Sequence, residues 1–428
     1  MTTLELAKKY QDYVVSLRRQ IHENPELSNQ EHETIALICS ELDRTGVDYT
    51  VIEDGGVLAK FTGPTDNGRS VLLRADCDAL PIQESEENLA GPRTCISRNP
   101  GVMHACGHDA HTAMLLGVAK VLKEKQDEIT GTVYLCFERG EEMGDNIYYI
   151  MSYLDKEKIK IDTSYGIHVA SALPSGLMGI NDTNVNAGAI FFDITIQGRG
   201  GHGSRPDESI SPIIPFAVIC QGMEGIRLRC LDPYKPLSYS IGRIHSGTQA
   251  NIIPDDLTFA GTVRMYDRAG VGMQFKEEFK KLVDNTCETY GCKAIYNSYP
   301  NPSLAVVNDP ECAAFARKVI GDEIGAERIL QVPASMGSES FSHYQTRYPG
   351  VFCSLGVQNL EKGAGAAHHN RLFDIDEDPL YLGVAAHVTY ALEFLKSGIS
   401  NEGKRPFASY RDVMEELGKD DLIKEIYG

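Results

Sequence analysis

The predicted order of helices and strands along this 428-residue chain changes near residue 186. From there, the apolar pattern predicts a strand, a helix, two strands, a helix and a strand, at Ala189–Gln197, Pro212–Arg227, Leu237–Ile244, Leu257–Val263, Val271–Tyr290 and Ala294–Tyr299. This βαββαβ order resembles the ferredoxin-like arrangement and is self-contained. Residues 186–299 are therefore predicted to form an inserted α+β domain.

The residues on either side of this insertion have the pattern of a layered α/β domain. Uninterrupted apolar runs at Val71–Arg74, Val133–Phe137 and Tyr165–Val169 predict buried strands, and Thr112–Glu124 predicts an amphipathic helix. Strands that alternate with helices are typical of a sheet covered by helices. We therefore expect residues 1–185 and 300–398 to form one interrupted domain. Residues 399–428 are expected to be a C-terminal extension, with a polar connector and a short charged helix.

The charge and the cysteine content restrict partners and compartment. The net charge of −19 argues against a nucleic-acid partner, because binding phosphates needs clustered Lys and Arg. The first residues lack the apolar segment of a signal peptide, and no run of about 18 apolar residues predicts a membrane span. The 11 cysteines have no regular spacing and are expected to be free thiols in a reducing compartment. We expect a cytoplasmic protein that binds neither nucleic acid nor membrane.

The segment from His104 to His111 reads HACGHDAH and carries three imidazoles, a thiol and a carboxylate. Zinc, manganese, cobalt and nickel prefer this set of ligands. The alternative is a histidine-rich loop that caps the following helix. Spacing alone leaves the choice of ligands open, because His104 and His108 share a face if helical, whereas Cys106 and His108 share a face if extended.

Other candidate groups stand where predicted strands end. Glu141 and Glu142 follow one strand, and such a pair can bind an ion with one carboxylate and accept a proton from water with the other. An acidic pair is also common on a solvated surface. A purely structural role, as core or turn residues, is an equally good interpretation for His168, His202 and the pair His368-His369. Ligands gather at strand ends in open α/β sheets. Two ions need about five or six protein ligands, and Cys106, His108, Glu142, His168 and His369 would provide five, although the positions alone do not decide between His368 and His369.

A longer series of motifs identifies a family. In order they are RRQIHENPELS at 18–28, RADCDALP at 74–81, MHACGHDAHT at 103–112, Glu141-Glu142, GIH at 166–168, GRGGH at 198–202, NIIP at 251–254, GTVR at 261–264 and HNRLFD at 369–374. From about residue 12 to residue 397, the chain resembles the aminoacylase and carboxypeptidase G superfamily of metallopeptidases. It looks closest to the amidohydrolase branch, which holds hippurate hydrolases, indole-acetyl-amino-acid hydrolases and N-acetyl-diaminopimelate deacetylases.

The resemblance implies a role for each metal-site residue. Cys106 takes the place of a carboxylate that bridges the two ions in sister branches. His108 and His168 complete one ion's ligands, and Glu142 and His369 bind the other. Glu141 is the general base. His369 is preferred to His368 because the family places the ligand four residues before an aromatic residue, here Phe373.

The resemblance also implies roles outside the metal site. The inserted domain is expected to be a lid through which two subunits form a homodimer, and His202 is expected to reach the neighbouring subunit's active site. Asn251 and Arg264 match residues that contact the substrate carboxylate or the tetrahedral intermediate. His22 and Asp78 are expected to support the metal ligands.

These roles predict hydrolysis of the amide bond of N-acyl or N-aroyl amino acids, or of related small amides, with two divalent ions (Zn, Mn, Co or Ni). The chain departs from the family pattern at Arg139-Gly140, just before the acidic pair, and at Ser338–Phe341, which reads SESF where relatives often read GEDF. These departures leave the substrate open. The alternatives are a dipeptidase or aminopeptidase on the same scaffold, and a non-catalytic binding protein that keeps the fold.

Overall fold

The computed structural model describes residues 1–401, 403–404 and 406–428. The helices are α1 Thr3–Lys9, α2 Gln11–Glu23, α3 His32–Thr45, α4 His108–Glu124, α5 Ile147–Lys156, α6 Ile213–Arg229, α7 Met273–Thr289, α8 Pro310–Ile324, α9 Phe341–Arg347, α10 Leu380–Lys396, α11 Tyr410–Leu417 and α12 Asp420–Tyr427. The strands are β1 Asp48–Ile52, β2 Gly56–Thr62, β3 Ser70–Asp76, β4 Thr132–Glu138, β5 Thr163–Pro174, β6 Met178–Gly179, β7 Asn184–Asn186, β8 Gly188–Gln197, β9 Gly201–His202, β10 Leu237–Ser246, β11 Ile252–Ile253, β12 Asp256–Met265, β13 Lys293–Ser298, β14 Val306–Val307, β15 Ile329–Leu330 and β16 Gly350–Gln358.

The larger sheet has eight strands in the order β1-β2-β4-β3-β5-β16-β6-β15. Its central pairs β4/β3, β3/β5 and β5/β16 are parallel, whereas β1/β2 and β2/β4 are antiparallel. The layered α/β domain expected from the sequence is therefore confirmed, and its sheet is mixed. The carboxyl ends of the parallel strands β3 and β4 lie at one edge, and each is followed by residues of the candidate site. His168 lies within β5, two residues beyond the last residue that pairs with β3, and does not follow the strand as predicted.

Apolar side chains cover both faces of this sheet because successive residues of a strand point to opposite sides. On β3, Leu73 packs into the cluster that includes α4 and α10, and Leu72 packs into the cluster that includes α5 and α9. All seven residues of β3 are buried. Continuous apolar runs of this kind are typical of strands covered on both faces, as the sequence predicted.

The smaller sheet has four antiparallel strands in the order β10-β12-β8-β13. Counted along the chain, this is the order 2-3-1-4, with α6 after the first strand and α7 after the third, as in the ferredoxin-like arrangement. One face packs on α6 and α7 through alternate residues of β8, including Ile190, Phe192 and Ile194. The domain boundaries at 185/186, 299/300 and 398/399 stay a prediction.

The structure corrects two of the predictions made from the sequence. Helix α4 begins at His108, four residues before the predicted start at Thr112, because its first turn carries polar groups rather than an apolar stripe. Residues 399–428 contain two helices, α11 and α12, where one short charged helix was predicted after the connector. Their apolar faces, with Tyr410, Met414 and Ile423, are buried against α5 and α9. No helix in the described residues combines the length and the apolar character needed to cross a bilayer.

Two buried histidines that are not among the candidate ligands make the stability of the fold sensitive to acid. Burial lowers the pKa of His343, beside Tyr410, and the pKa of His387, against the Tyr165 ring, to about 3 each. Both are therefore neutral in the folded protein at pH 7, whereas each binds a proton below about pH 6.5 when the chain unfolds. The unfolded state then holds more protons, so stability falls as the pH drops below about 6.5, by up to about 1.4 kcal/mol per pH unit for each histidine.

We therefore expect His387→Gln to lose stability less steeply than the wild type between pH 6.5 and pH 4.5. The measurement is the free energy of unfolding from urea titrations at several pH values. The exposed His32 provides the control, since His32→Gln should keep the wild-type slope. A wild-type slope in His387→Gln would contradict the assigned protonation.

Candidate metal centre

The segment after β3 brings Cys106 and His108 to the carboxyl edge of the large sheet. Gly107, between them, has φ +91°, and a Cβ there would lie 2.3 Å from Val169 Cγ2. Glycine is thus required for the close approach of this turn to β5. The turn ends as α4 begins, which places His108 in the first helical turn. Neither of the two geometries considered from spacing alone is fully right, since Cys106 precedes the helix and His108 starts it.

The structure brings the five predicted ligands together in overlapping groups. The ligand atoms of Cys106, His108 and His168 lie within 4.8 Å of one another, and so do those of Cys106, Glu142 and His369. A third group joins His108 to Glu141 and Glu142. Two groups that share Cys106 have the layout of a site for two neighbouring ions.

Hydrogen bonds fix which nitrogen of each buried histidine faces the site. His168 Nδ1 donates to the carbonyl oxygen of Val169 at 2.7 Å, which leaves Nε2 as an acceptor 3.5 Å from Cys106 Sγ. His108 Nδ1 lies 3.0 Å from Asp78 Oδ1 and donates to it. A carboxylate behind a histidine is the usual support for a metal-binding imidazole. Asp78 thus occupies the supporting position that the resemblance implied.

Two buried atoms in this group make no well-formed hydrogen bond to the described residues and have only ion-pair contacts of 3.3 Å or longer. They are His108 Nε2 and Glu142 Oε1, which lie 3.9 Å apart. Burying such groups without a hydrogen bond is costly. An imidazole nitrogen and a carboxylate oxygen that both face the same space, beside a thiol, are a donor set that fits a divalent ion.

His369, rather than His368, faces Glu142. Its Nε2 lies 3.3 Å from Glu142 Oε1, and this contact raises the pKa of His369. Its φ of +60° is uncommon for a residue with a side chain, and its backbone N–H donates to the carbonyl of Ala105. His368 instead accepts a hydrogen bond from the backbone of Ser171 at 3.3 Å and packs on Phe373.

The other histidines of the HACGHDAH segment differ from His108. His111 makes two hydrogen bonds, to Asp76 Oδ1 at 2.6 Å and from the backbone N–H of Val169 at 2.9 Å, so neither nitrogen is left for an ion. His104 is buried, and neither of its nitrogens bonds a described residue. Burial lowers the pKa of His104 to about 4. His22 lies outside this segment, and its Nδ1 is 2.7 Å from Asp109 Oδ2 and its Nε2 2.8 Å from Glu84 Oε1.

Glu141 is held in place by the loop that precedes α9. Its Oε1 accepts a hydrogen bond from the backbone N–H of Ser340 at 3.1 Å. Burial, together with the negative charges of Glu339 and Glu142, raises the pKa of Glu141 well above its usual range. A carboxylate with a raised pKa can accept a proton and later return it near neutral pH.

The acidic pair is also anchored from the side of α3. Glu31, fully buried, accepts hydrogen bonds from Arg139 Nε at 2.9 Å and from the backbone of Gly140 at 2.8 Å. Gly140 has φ +64°, and a Cβ there would clash with Asn146 at 2.0 Å. The unusual pair Arg139-Gly140 is therefore part of the geometry that presents Glu141 and Glu142.

A buried ion network lies next to the loop that holds Glu141, and no sequence pattern indicated it as a unit. The Arg74 guanidinium contacts Asp76 at 2.8 Å, Glu138 at 2.8 Å and Glu339 at 3.1 Å. Arg74 Nη2 also donates to Ser340 Oγ at 2.7 Å. The only local signal was an Arg and an Asp inside an otherwise apolar strand.

The three predicted residues of the inserted region fall into two places. His202 lies in the two-stranded ribbon of β9 and β11, and Asn251 directly precedes β11, where its carbonyl accepts a hydrogen bond from Gly203 N–H. The side-chain hydrogen bonds of His202 stay within its own loop. The structure does not bring His202 and Asn251 to the metal-ligand groups of this chain. Arg264, in contrast, donates from Nη1 to Ser338 Oγ at 2.7 Å, two residues from the loop position that holds Glu141.

A carboxylate with a raised pKa beside clustered imidazole, thiol and carboxylate ligands, at the strand ends of a mixed α/β sheet, is the arrangement of a metal-dependent hydrolase. The model of peptidase family M20/M25/M40 matches residues 72–393. The chain belongs to this family, and it is a metal-dependent amidohydrolase.

Individual relatives agree with this assignment. Thermostable carboxypeptidase 2 of Saccharolobus solfataricus is 36% identical over 90% of this chain and 96% of the relative. IAA-amino acid hydrolase ILR1-like 4 of Arabidopsis thaliana is 35% identical over 92% of this chain and 88% of the relative. The solved structure of Bacillus subtilis YXEP protein, described as a dinuclear metal binding peptidase of family M20, superposes with a TM-score of 0.77, at 28% identity, over 91% of this chain and 99% of that one.

Proposed function

We propose that this enzyme hydrolyses the amide bond of N-acyl or N-aroyl amino acids. The observation that carries the proposal is the position of Glu141, whose carboxylate lies beside His108 and Glu142 and is held by the Ser340 N–H. Relatives named for cleaving a carboxyl-terminal residue or an amino-acid conjugate support an amide substrate with a free carboxylate.

Two divalent ions (Zn, Mn, Co or Ni) would be held by Cys106, His108 and His168 on one side and by Glu142 and His369 on the other. When bound, they supply Lewis acidity that lowers the pKa of water and polarises a carbonyl. Glu141 accepts the proton of the attacking water and returns it to the departing amine. Asp78 and the Val169 carbonyl keep His108 and His168 in the tautomers that present Nε2 to the site.

The remaining predicted roles belong to the same proposal. Arg264 binds the substrate carboxylate, because its guanidinium reaches the loop that also holds Glu141. Residues 186–299 act as a lid and form a homodimer, so that His202 and Asn251 serve the partner subunit's site. Their separation from the ligand groups of their own chain is the reason for assigning them across the dimer. We further propose that the enzyme works in the cytoplasm.

The test compares acetyl, benzoyl, indole-acetyl and fatty-acyl amino acids with unblocked dipeptides, alongside elemental analysis of the purified protein. We expect two equivalents of transition metal, hydrolysis of blocked substrates, and loss of activity on chelation. Preference for unblocked dipeptides would favour the dipeptidase alternative. Protein without transition metal and without activity on either group would favour the binding-protein alternative.

A further inference from the structure

Phe191 is an aromatic side chain on the open face of the smaller sheet. Its neighbours Ile190 and Phe192 point to the core and are 1% and 2% exposed, whereas Phe191, between them on β8, is 57% exposed. Alternation along a strand explains why Phe191 points away from α6 and α7. A single exposed apolar residue is ordinary on a protein surface, so its meaning depends on its neighbours.

Its principal neighbour is Arg264 on the adjacent strand. Arg264 pairs with Ala189, so it lies diagonally across from Phe191 on the same face. The guanidinium carbon is 5.0 Å from the centre of the Phe191 ring. Arg264 Nη1 donates to Ser338 Oγ, whereas Nε and Nη2 donate to none of the described residues. Two free donors are what a planar guanidinium offers to a carboxylate.

Phe191 and Arg264 are connected to the loop that holds Glu141, the proposed general base. Ser338 bonds Arg264, and Ser340 in the same loop donates its backbone N–H to Glu141. A short chain of direct contacts therefore runs from the Phe191 ring through Arg264 to the loop that positions Glu141. Phe191 lies on the face of the smaller sheet from which Arg264 reaches the loop that holds Glu141.

Beside Phe191 the sheet has a shallow concavity of about 340 Å³. Its floor is made by small residues, and its far wall by an ion pair between Arg243 and Asp193. The floor residues are Ser240, Gly242, Ala260, Gly261 and Thr262. A space of this size lies at the small end of ligand pockets and is sufficient for one side chain.

We propose that Phe191 is a specificity-determining residue and that the concavity beside it takes the side chain of the amino-acid half of the substrate, favouring large apolar and aromatic side chains. The inference rests on the proposed function, in which Arg264 binds the substrate carboxylate. In an amino acid, the carboxylate and the side chain share the Cα atom. A carboxylate on Arg264 therefore brings the side chain against the ring that stacks on the same guanidinium.

The test measures kcat/KM for N-acetyl-L-phenylalanine, N-acetyl-L-leucine and N-acetylglycine in the metal-loaded full chain. In the wild type, we expect phenylalanine to be preferred over glycine. In Phe191→Ala, kcat/KM should fall about tenfold for the phenylalanine substrate and change less than about twofold for the glycine substrate, because only the former loses the aromatic contact. Ile295→Ala, another exposed apolar position on the same sheet, is the matched control and should leave the ratio unchanged.

The outcomes separate the two proposals. An equal fall for all three substrates, or no change for any of them, in Phe191→Ala overturns the specificity role while the proposed function stands. A wild type that cleaves none of the N-acyl amino acids overturns the proposed function, and the role of Phe191 fails with it.

Discussion

Glu141→Gln is expected to lower kcat about 10³-fold while leaving the metal content unchanged. Glutamine keeps the size of the side chain and an oxygen that can accept the Ser340 N–H, but it cannot accept the proton of water. General-base catalysis is typically worth 10²- to 10⁴-fold, which sets the size of the effect. The measurement pairs steady-state kinetics on an N-acyl amino acid with elemental analysis of the same sample.

Two variants on the same turn show whether the loss belongs to Glu141. Asp145→Asn removes an exposed carboxylate four residues further along and should keep wild-type activity. Glu142→Gln should lose metal as well as activity, because Glu142 is placed as a ligand rather than as the base. Wild-type kcat in Glu141→Gln would exclude the assigned base.

Arg74→Met is expected to destabilise the fold by about 3–5 kcal/mol, the cost typical of breaking a buried ion pair from one side. The Arg74 side chain is 1% exposed, and those of Asp76, Glu138 and Glu339 are 0%, 0% and 3% exposed. Removing the guanidinium leaves these carboxylates buried without their cation. The measurement is the free energy of unfolding in urea, with metal present.

The pH dependence of this difference is a second readout. Without Arg74, the buried carboxylates should take up protons at higher pH than in the wild type, so the gap between variant and wild type should narrow as the pH falls from 7.5 to 5.5. Arg205→Met is the control, because Arg205 pairs with Asp207 at the surface and surface pairs contribute little. A difference below about 1 kcal/mol for Arg74→Met at pH 7.5 would contradict the role of the network.

The order of the elements could be predicted from the sequence because it follows from local periodicity. The runs that became β3, β4 and β5 are mostly apolar, and the βαββαβ order of residues 189–299 needed only alternation and helical spacing. The start of α4 was misplaced because the polar residues of its first turn, among them His108, break the apolar stripe. Only one of the two helices α11 and α12 was predicted, because their apolar residues are few and the elements that bury them, α5 and α9, are distant in sequence.

The candidate site, too, could be predicted from the sequence only in part. Composition alone pointed to Cys106 and His108, because ligand types are dense there. Glu142, His168 and His369 needed the ordered motifs, since each is ambiguous alone. The contacts of Arg74 with Ser340, and of Glu31 with Gly140, join residues 266 and 109 positions apart, and no local pattern reports such pairs.

The packing of α11 and α12 also bears on the order in which this protein folds during synthesis. The apolar cluster between α5, α9 and the large sheet takes side chains from Ile52 through to Ile423, whereas the core of the smaller sheet is drawn from residues 190–299. The ribosome releases the chain from the N-terminal end, and compact units fold as they emerge. The smaller sheet can therefore close its core while translation continues. The face of the large sheet beneath α5 must wait, and until residues 410–423 leave the ribosome, its exposed apolar strands are where a chaperone would bind.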